Sequence, residues 1–338
     1  MDNVDLNATA HAIKDAKSIL ISSHVNPDGD TLGSSLALFL ALKKVGKNVI
    51  AVSADPIPDM FKFLPASNFI KVSPAIKDIP DYNDIDTLVT VECPTFDRIG
   101  NIENIINRKN IKTIVNIDHH PGNSRFGVIN YIDTSASAVG EEVYKLIKKI
   151  GIELDKDIAT CLYVSILTDT GSFSYSNTSS ETHNITAELL KYNIVPSEIN
   201  IMVYENNSIE KFKLLSKVLD SISLSKDGLI AWIVLTKDML KKTDTKASEA
   251  DGFVNYPRSI KGVEVAVLFR EAEEGKVRVS LRSNRIANVS EVARKFNGGG
   301  HEKAAGCSVN GSLNEVQDLV IKEVSRQIEK NILYPRNV

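Results

Sequence analysis

Three apolar runs in the first third of the chain stop at residues of one chemical kind. Ser18 to Ile21 leads into His24-Val25-Asn26-Pro27-Asp28-Gly29-Asp30, Thr87 to Val91 ends at Glu92, and Lys112 to Ile117 ends at Asp118-His119-His120. Each run is short and almost continuously apolar, as expected of a strand buried on both faces. A fourth strand, Asn48 to Ser53, follows Leu32 to Val45, whose apolar residues recur at helical spacing. Strands that alternate with helices imply a parallel sheet, because parallel neighbours must be joined by a crossover. Such sheets carry their functional groups outside the carboxyl ends of the strands. The expected architecture is therefore α/β, a larger N-terminal domain with a mainly parallel sheet covered by helices on both faces.

The remaining elements follow the same logic. Asp5 to Ala16, Ser137 to Ile150 and Asp155 to Leu167 read as helices, the last running into Thr168-Asp169-Thr170-Gly171. Thr178-Ser179-Ser180-Glu181 reads as a capping box for a helix that ends near Tyr192. Ile194 to Glu205 shows little periodicity and holds Pro196, which suggests a linker, and Ser208 to Ser221 looks helical. Leu229 to Leu235, Val263 to Phe269 and Lys276 to Leu281 are strands, and Asn288 to Phe296 and Asn314 to Ile328 are helices, together a smaller α/β domain. The expected division is residues 1–193, a linker at 194–215 and a second domain at 216–338, with the active site in the cleft between the domains.

Composition narrows the function classes. A chain of 338 residues, 43% hydrophobic and 25% charged, can bury a core in each of two domains. A net charge of −3 provides no global field to draw the chain onto long nucleic acid. Cys93, Cys161 and Cys307 are far apart, odd in number and in no paired motif, which points to reduced thiols and a cytoplasmic setting. Residues 1–10 lack a basic-then-apolar pattern, and Leu36 to Leu42 is too short to cross a bilayer, so neither export nor a membrane segment is expected.

His24, Asp28, Asp30, Glu92, His119 and Asp169 supply four carboxylates and two imidazoles from element ends. The bland alternatives are scattered surface acids and a polar turn in which Asp30 caps a helix. If the six converge, however, the carboxylates cannot all stay ionised without cations. Two divalent ions would balance four carboxylates, and such a pair clamps both oxygens of a displacement at phosphorus. Mixed oxygen and imidazole ligation suits two Mn²⁺, with Mg²⁺, Co²⁺ or Fe²⁺ as substitutes.

Taken together, HxxxDxD after the first strand, an acid before Arg98-Ile99-Gly100, DHH after another strand, Thr168-Asp169-Thr170-Gly171-Ser172-Phe173 and a terminal Gly298-Gly299-Gly300-His301 resemble the DHH phosphoesterase superfamily. Within it the chain is similar to the two-domain oligoribonuclease and pAp-phosphatase group, the nanoRNases, in which a DHH-associated domain follows the DHH domain. The resemblance spans nearly the whole chain and includes the segment Gly252 to Glu271. It implies one metal on His24, Asp28 and Glu92, and a second on Asp30, the same Glu92, His119 and Asp169. Asp118 would then sit behind His119, fixing its tautomer, and His120 would donate to a phosphate oxygen or the leaving group. With Asp30, these two complete the expected catalytic set. One departure is Glu92, where the family usually has aspartate. The extra methylene shifts the carboxylate by about one bond where positioning is held to roughly 0.5 Å. Asp97 is the competing source of that carboxylate.

In Lys276-Val277-Arg278-Val279-Ser280-Leu281-Arg282, strict alternation gives the strand one basic face. Arg285 follows, then Asn288 and Glu291 placed as a capping box, then the three glycines, whose backbone N–H groups can approach an anion beside His301. A solvated strand edge and a helix stop are the plainer readings. The family's use of Arg and GGGH residues for substrate phosphate favours Arg282, Ser280, Arg285, Gly298, Gly299, Gly300 and His301 as substrate contacts. Trp232, Phe212 and Phe253 read as core or packing residues.

The expected activity is metal-dependent hydrolysis of short oligoribonucleotides to mononucleotides and of pAp to AMP. Linear or cyclic dinucleotide phosphodiesterase action is the related alternative. A nucleotide-binding or sensing protein, its activity weakened by Glu92, is the non-enzyme one. Expected partners are short RNA or DNA oligonucleotides, pAp and dinucleotides, with no long polymer and no membrane; a homodimer is left open.

Overall fold

A computed structural model describes residues 2–73, 84–102, 111–272 and 275–333. It divides into two compact units, residues 1–206 and 207–338.

The first unit is built on six parallel strands: β1 (Ser18–Ser23), β2 (Asn48–Ser53), β3 (Lys71–Val72), β4 (Thr87–Val91), β5 (Thr113–Asp118) and β6 (Ile129–Ile132). Their spatial order is β3-β2-β1-β4-β5-β6. The two central strands, β1 and β4, are buried along their whole length, which is why they read as continuous apolar runs. Among the described residues six helices pack on this unit: α1 (Asp2–Asp15), α2 (Gly29–Lys44), α3 (Val139–Ile150), α4 (Lys156–Asp169), α5 (Ser180–Leu190) and α6 (Pro196–Asn200). Their apolar residues share one core with Ile19, Ile21, Val89 and Val115. Leu20, Leu88 and Ile114 point to the opposite face, where Ile99 and Ile102 of the helical segment Phe96–Ile102 cover them. Among the described residues no helix is long and apolar enough to cross a membrane.

Three local readings are corrected. Within the expected linker at 194–215, residues 196–205 are helical. Pro196 occupies the first position of α6, where its missing N–H costs nothing, and a wider-coiled turn, Ile201–Glu205, continues it. Ile199 and Val203, four residues apart, are buried in the core of the first unit. The cap of α5 is Ser179 with Thr182, one residue beyond the Thr178/Glu181 pair, because the Thr182 hydroxyl accepts from the Ser179 N–H as a glutamate would. Phe212 is more than half exposed, whereas Phe253 is buried and Trp232 half-buried.

The second unit opens with α7 (Ile209–Leu219) and carries a mixed sheet: β7 (Ser223–Leu224), β8 (Ile230–Leu235), β9 (Val265–Glu271), β10 (Lys276–Ser283), β11 (Gly299–Gly300) and β12 (Ala304–Asn310). Two short helices, α8 (Lys237–Thr243) and α9 (Asn255–Arg258), precede β9; α10 (Val289–Arg294) and α11 (Leu313–Leu333) follow β10 and β12. Val277, Val279 and Leu281 of β10 face the core made with α10 and α11.

Helices α2 and α4 meet with almost no side chain between them. A Cβ added at Gly33 would lie 2.4 Å from the Cys161 carbonyl oxygen and 2.8 Å from the Ser165 nitrogen. Alanine would gain up to ~1 kcal/mol in helix propensity, but the clash is with backbone and the helices must part. Gly33→Ala should lower stability by about 1–3 kcal/mol, read as a lower urea midpoint. An unchanged midpoint would show that this close approach is not needed.

Glu142, on α3, is fully buried; one oxygen accepts the Asp133 N–H at 2.9 Å, and the other has no hydrogen-bond partner among the described residues. Burial pushes its pKa well above the usual carboxylate value of 4.5. The folded protein therefore holds a proton that the unfolded chain releases, so stability is lost as pH rises above that value. Glu142→Gln keeps the oxygen that accepts from Asp133. It should match the native protein near pH 4 and be the more stable of the two at pH 8, by thermal melts at both values.

Candidate metal centre

The strand order reverses direction between β1 and β4, so connections leave these neighbours on opposite sides and open a crevice at their carboxyl ends. Ser23 pairs with Val91 and Val91 with Ile117. The next residues on the first two strands are His24 and Glu92, and β5 ends at Asp118 with His119 following. Asp28 caps α2, its Oδ1 accepting the Thr31 N–H at 3.0 Å, and Asp30 lies in the first turn rather than at the cap. The Val25 N–H donates to the Arg98 carbonyl at 2.8 Å, which ties the loop to the Arg98-Ile99-Gly100 segment. Glu92 has a positive φ of 58°, a left-handed conformation that a glutamate seldom adopts.

Two groups of ligand-type atoms result. Those of His24, Asp28 and Glu92 all lie within 4.8 Å of one another, as do those of Asp30, Glu92 and His119, and Glu92 is common to both. Asp169, at the end of α4, places Oδ2 3.7 Å from His119 Nε2. All six sequence-identified residues therefore meet. Asp97 does not join them and is exposed on the Phe96–Ile102 segment.

Each imidazole is oriented from behind. His24 Nδ1 donates to the Val25 carbonyl at 2.6 Å and His119 Nδ1 to the Ala136 carbonyl at 3.1 Å, which turns both Nε2 atoms toward the carboxylates. Here the structure corrects the expected role of Asp118. Its Oδ1 accepts from His120 Nδ1 at 2.8 Å, and its Oδ2 from Asn123 Nδ2 at 2.6 Å. A side chain at the end of β5 serves the second histidine of the pair, because the first turns toward the Ser135–Ala136 bend.

The donor set fits a divalent cation. The Thr31 hydroxyl lies 2.9 Å from both His24 Nε2 and Asp28 Oδ1 and also contacts Glu92 Oε2. One hydroxyl proton cannot satisfy three acceptors, so the pocket is rich in lone pairs. Burial, then the charges of Asp28, Asp30 and Asp169, raise the Glu92 pKa well above normal. Burial raises Asp30 too, partly offset by His119 and Ser165. Burial disfavours a charged His119, but Asp169, Asp30, Glu92 and Asp118 outweigh it and raise the group to about 9. These shifts mark a pocket whose carboxylates call for positive charge, which a bound divalent cation would supply.

Several contributors carry no sequence signal of their own. Asp30 is held by the Val139 N–H at 2.8 Å, the Gly140 N–H at 3.3 Å and the Ser165 hydroxyl, so the N-terminus of α3 and the middle of α4 fix it. Asn177 donates to the carbonyls of Ser137 and Asp169 at 2.9 and 3.0 Å. Asn123, in the run after Asp118-His119-His120, and Asn177, a few residues beyond Asp169, lay near the motifs in sequence.

The predicted substrate residues lie in the second unit. Along β10, Lys276 and Arg278 are exposed, Ser280 and Arg282 half-buried, and the intervening residues buried, as alternation required. Ser280 pairs with Gly306, which pairs with Gly299, so one row crosses β10, β12 and β11 without a large side chain. The three-glycine anion loop needs revision. The Gly298 N–H donates to the Ala293 carbonyl at 2.9 Å. Added Cβ atoms at Gly298 and Gly300 would lie 2.2 and 2.5 Å from the carbonyl oxygens of Gly306 and Ala304. Those two glycines let β11 approach β12; Gly299 alone faces open space. His301 follows in the turn to β12, and Arg285 is exposed on the loop after β10. Asn288 caps α10, while Glu291 reaches Gln327 and Lys330 of α11 instead of closing the expected box.

Residues 18–166 match the DHH family N-terminal domain and residues 228–330 the DHHA1 domain. The bifunctional oligoribonuclease and PAP phosphatase NrnA of Thermus thermophilus is 34% identical, the alignment covering 92% of this chain and 90% of that one. The protein of the same name from Bacillus subtilis is 32% identical over 86% and 89%. The crystal structure of an exopolyphosphatase-related protein from Bacteroides fragilis superposes with a TM-score of 0.88 at 31% identity, covering 97% and 96%. Motifs, strand order and relatives agree that this chain belongs to the DHH family, with a DHHA1 domain following its DHH domain.

Proposed function

We propose that the protein is a metal-dependent phosphoesterase that hydrolyses short oligoribonucleotides to mononucleotides and pAp to AMP. The observation that carries this reading is the pair of ligand groups overlapping at Glu92. The activities named for the relatives from Thermus thermophilus and Bacillus subtilis give it its substrates.

His24, Asp28 and Glu92 would hold one ion, and Asp30, Glu92, His119 and Asp169 the other, with two Mn²⁺ the best match to this oxygen and imidazole set. When bound, the ions supply Lewis-acid polarisation of phosphate and activation of water. The chain's own residues do the rest. Asp118 accepts from His120 Nδ1 and turns Nε2 of that ring outward as the hydrogen-bond donor to a phosphate oxygen or to the departing oxygen. Burial works against the Asp118 charge, but His120 and Asn123 keep its pKa below the usual range, so it stays an acceptor. On the second unit, Arg282, Ser280 and Arg285 bind substrate phosphate beside the open row at Gly299 and Gly306.

The test is purified protein with Mn²⁺ or Mg²⁺ against pAp, RNA dinucleotides to pentanucleotides, cyclic dinucleotides and pyrophosphate. AMP from pAp and mononucleotides from the short RNAs are expected, with slower attack per end on a long strand. Tight nucleotide binding without turnover would select a sensing role instead. Loss of partners behind a metal ligand commonly costs 10–100-fold, so loss of the shared ligand in Glu92→Ala should cost at least ~100-fold in turnover. Normal activity in that variant would overturn the assignment.

A further inference from the structure

We infer that Glu264 is a positioning residue that sets the loop presenting Arg285 before substrate arrives. This rests on the reading that Arg282 and Arg285 bind substrate phosphate. Glu264 is buried beneath the loop, and its Oε1 alone accepts three successive backbone N–H groups, those of Arg285, Ile286 and Ala287, at 3.1, 2.6 and 2.8 Å. The carbonyls of the same residues are also taken. Lys303 Nζ donates to Arg285 O at 2.7 Å, Asn331 Nδ2 to Ile286 O at 2.7 Å and the Ser283 hydroxyl to Ala287 O at 2.7 Å. Asn284 donates through its N–H to the Glu264 carbonyl at 2.9 Å and through its side chain to the Val263 carbonyl at 2.8 Å.

Every backbone polar group from Arg285 to Ala287 is therefore held by a side chain from elsewhere, although the segment belongs to no helix or strand. The clamp leaves the Arg285 and Ile286 side chains exposed, while Ala287 anchors the arc in the core. A carboxylate placed under a short arc with outward cations is a device for pre-organisation, since the entropy of ordering the loop is met on folding rather than on binding. Glu264 thereby holds Arg285 just past the end of β10, the strand that carries Arg282. Its loss should therefore weaken substrate capture and leave the chemical step alone.

The experiment compares Glu264→Ala, Glu264→Gln and Arg285→Ala with the native enzyme. It reads KM and kcat for pAp, the Kd for pAp without metal by calorimetry, and hydrogen exchange at the amides of residues 285–287. Glu264→Ala is expected to raise KM and Kd about tenfold, the entropy of ordering one residue, with kcat little changed and the amide protection lost. Glu264→Gln keeps Oε1 and should recover most of both. If Arg285→Ala weakens pAp but Glu264→Ala does not, although the loop has lost protection, the positioning role is wrong and the phosphate anchor stands. If Arg285→Ala itself changes neither KM nor Kd, the anchor reading fails and the inference with it. Should Glu264→Ala not fold, Lys303→Met and Asn331→Ala release the loop carbonyls, and unchanged affinity in both would overturn the proposal.

Discussion

Repulsion among four clustered carboxylates, two of them buried, is the constraint on which the first unit turns. Asp28 and Asp30 stand at the start of α2, Glu92 follows β4 and Asp169 ends α4, and local sequence does not bring these three places together. What brings them together is the reversal of strand order between β1 and β4, which leaves the carboxyl ends of those strands uncovered. The N-terminus of α3 on Asp30 offsets part of the cost of assembling like charges there. The close contact of α2 with α4 at Gly33 belongs to the same arrangement, because α2 begins at the aspartate loop and α4 ends at Asp169.

Orientation is handled by backbone as much as by side chains. Carbonyls of Val25 and Ala136 fix the two histidines of the cluster, and the Asp118 carboxylate is reserved for His120. A neutral carbonyl behind a ligating imidazole leaves its basicity lower than a carboxylate would. The Asp118 carboxylate behind His120 instead fixes Nδ1 of that ring as the donor. The two histidines of the DHH run, adjacent in sequence, are thereby separated in chemistry.

The second unit is built around a sheet whose two faces differ. One side of β10 packs on α10 and α11, and the other shows Lys276, Arg278, Ser280 and Arg282 beside a row of glycines. Small residues on β11 and β12 keep that basic face accessible, and buried Glu264 supplies the acceptor that orders the loop at its end. Charge and space are arranged together, so the net charge of −3 for the whole chain conceals a local positive surface.

Period and spacing were enough to read most strands and helices, the alternation on β10, and the six residues that meet at the candidate metal centre. Each of these is local, set by which faces are apolar and by which residues follow a strand. Short elements were lost to the same reading: β6, β11 and β12 lack a continuous apolar run, and α6 begins at a proline taken for a breaker. The sequence also could not say which histidine Asp118 serves, that Ser165 and the start of α3 hold Asp30, or that Gly298 and Gly300 are there for strand packing. Those facts depend on pairs 109 and 135 residues apart, or on a single rotamer. Local pattern determines what each segment is, whereas partners distant along the chain are chosen only when the sheet order and helix packing put them within hydrogen-bond reach.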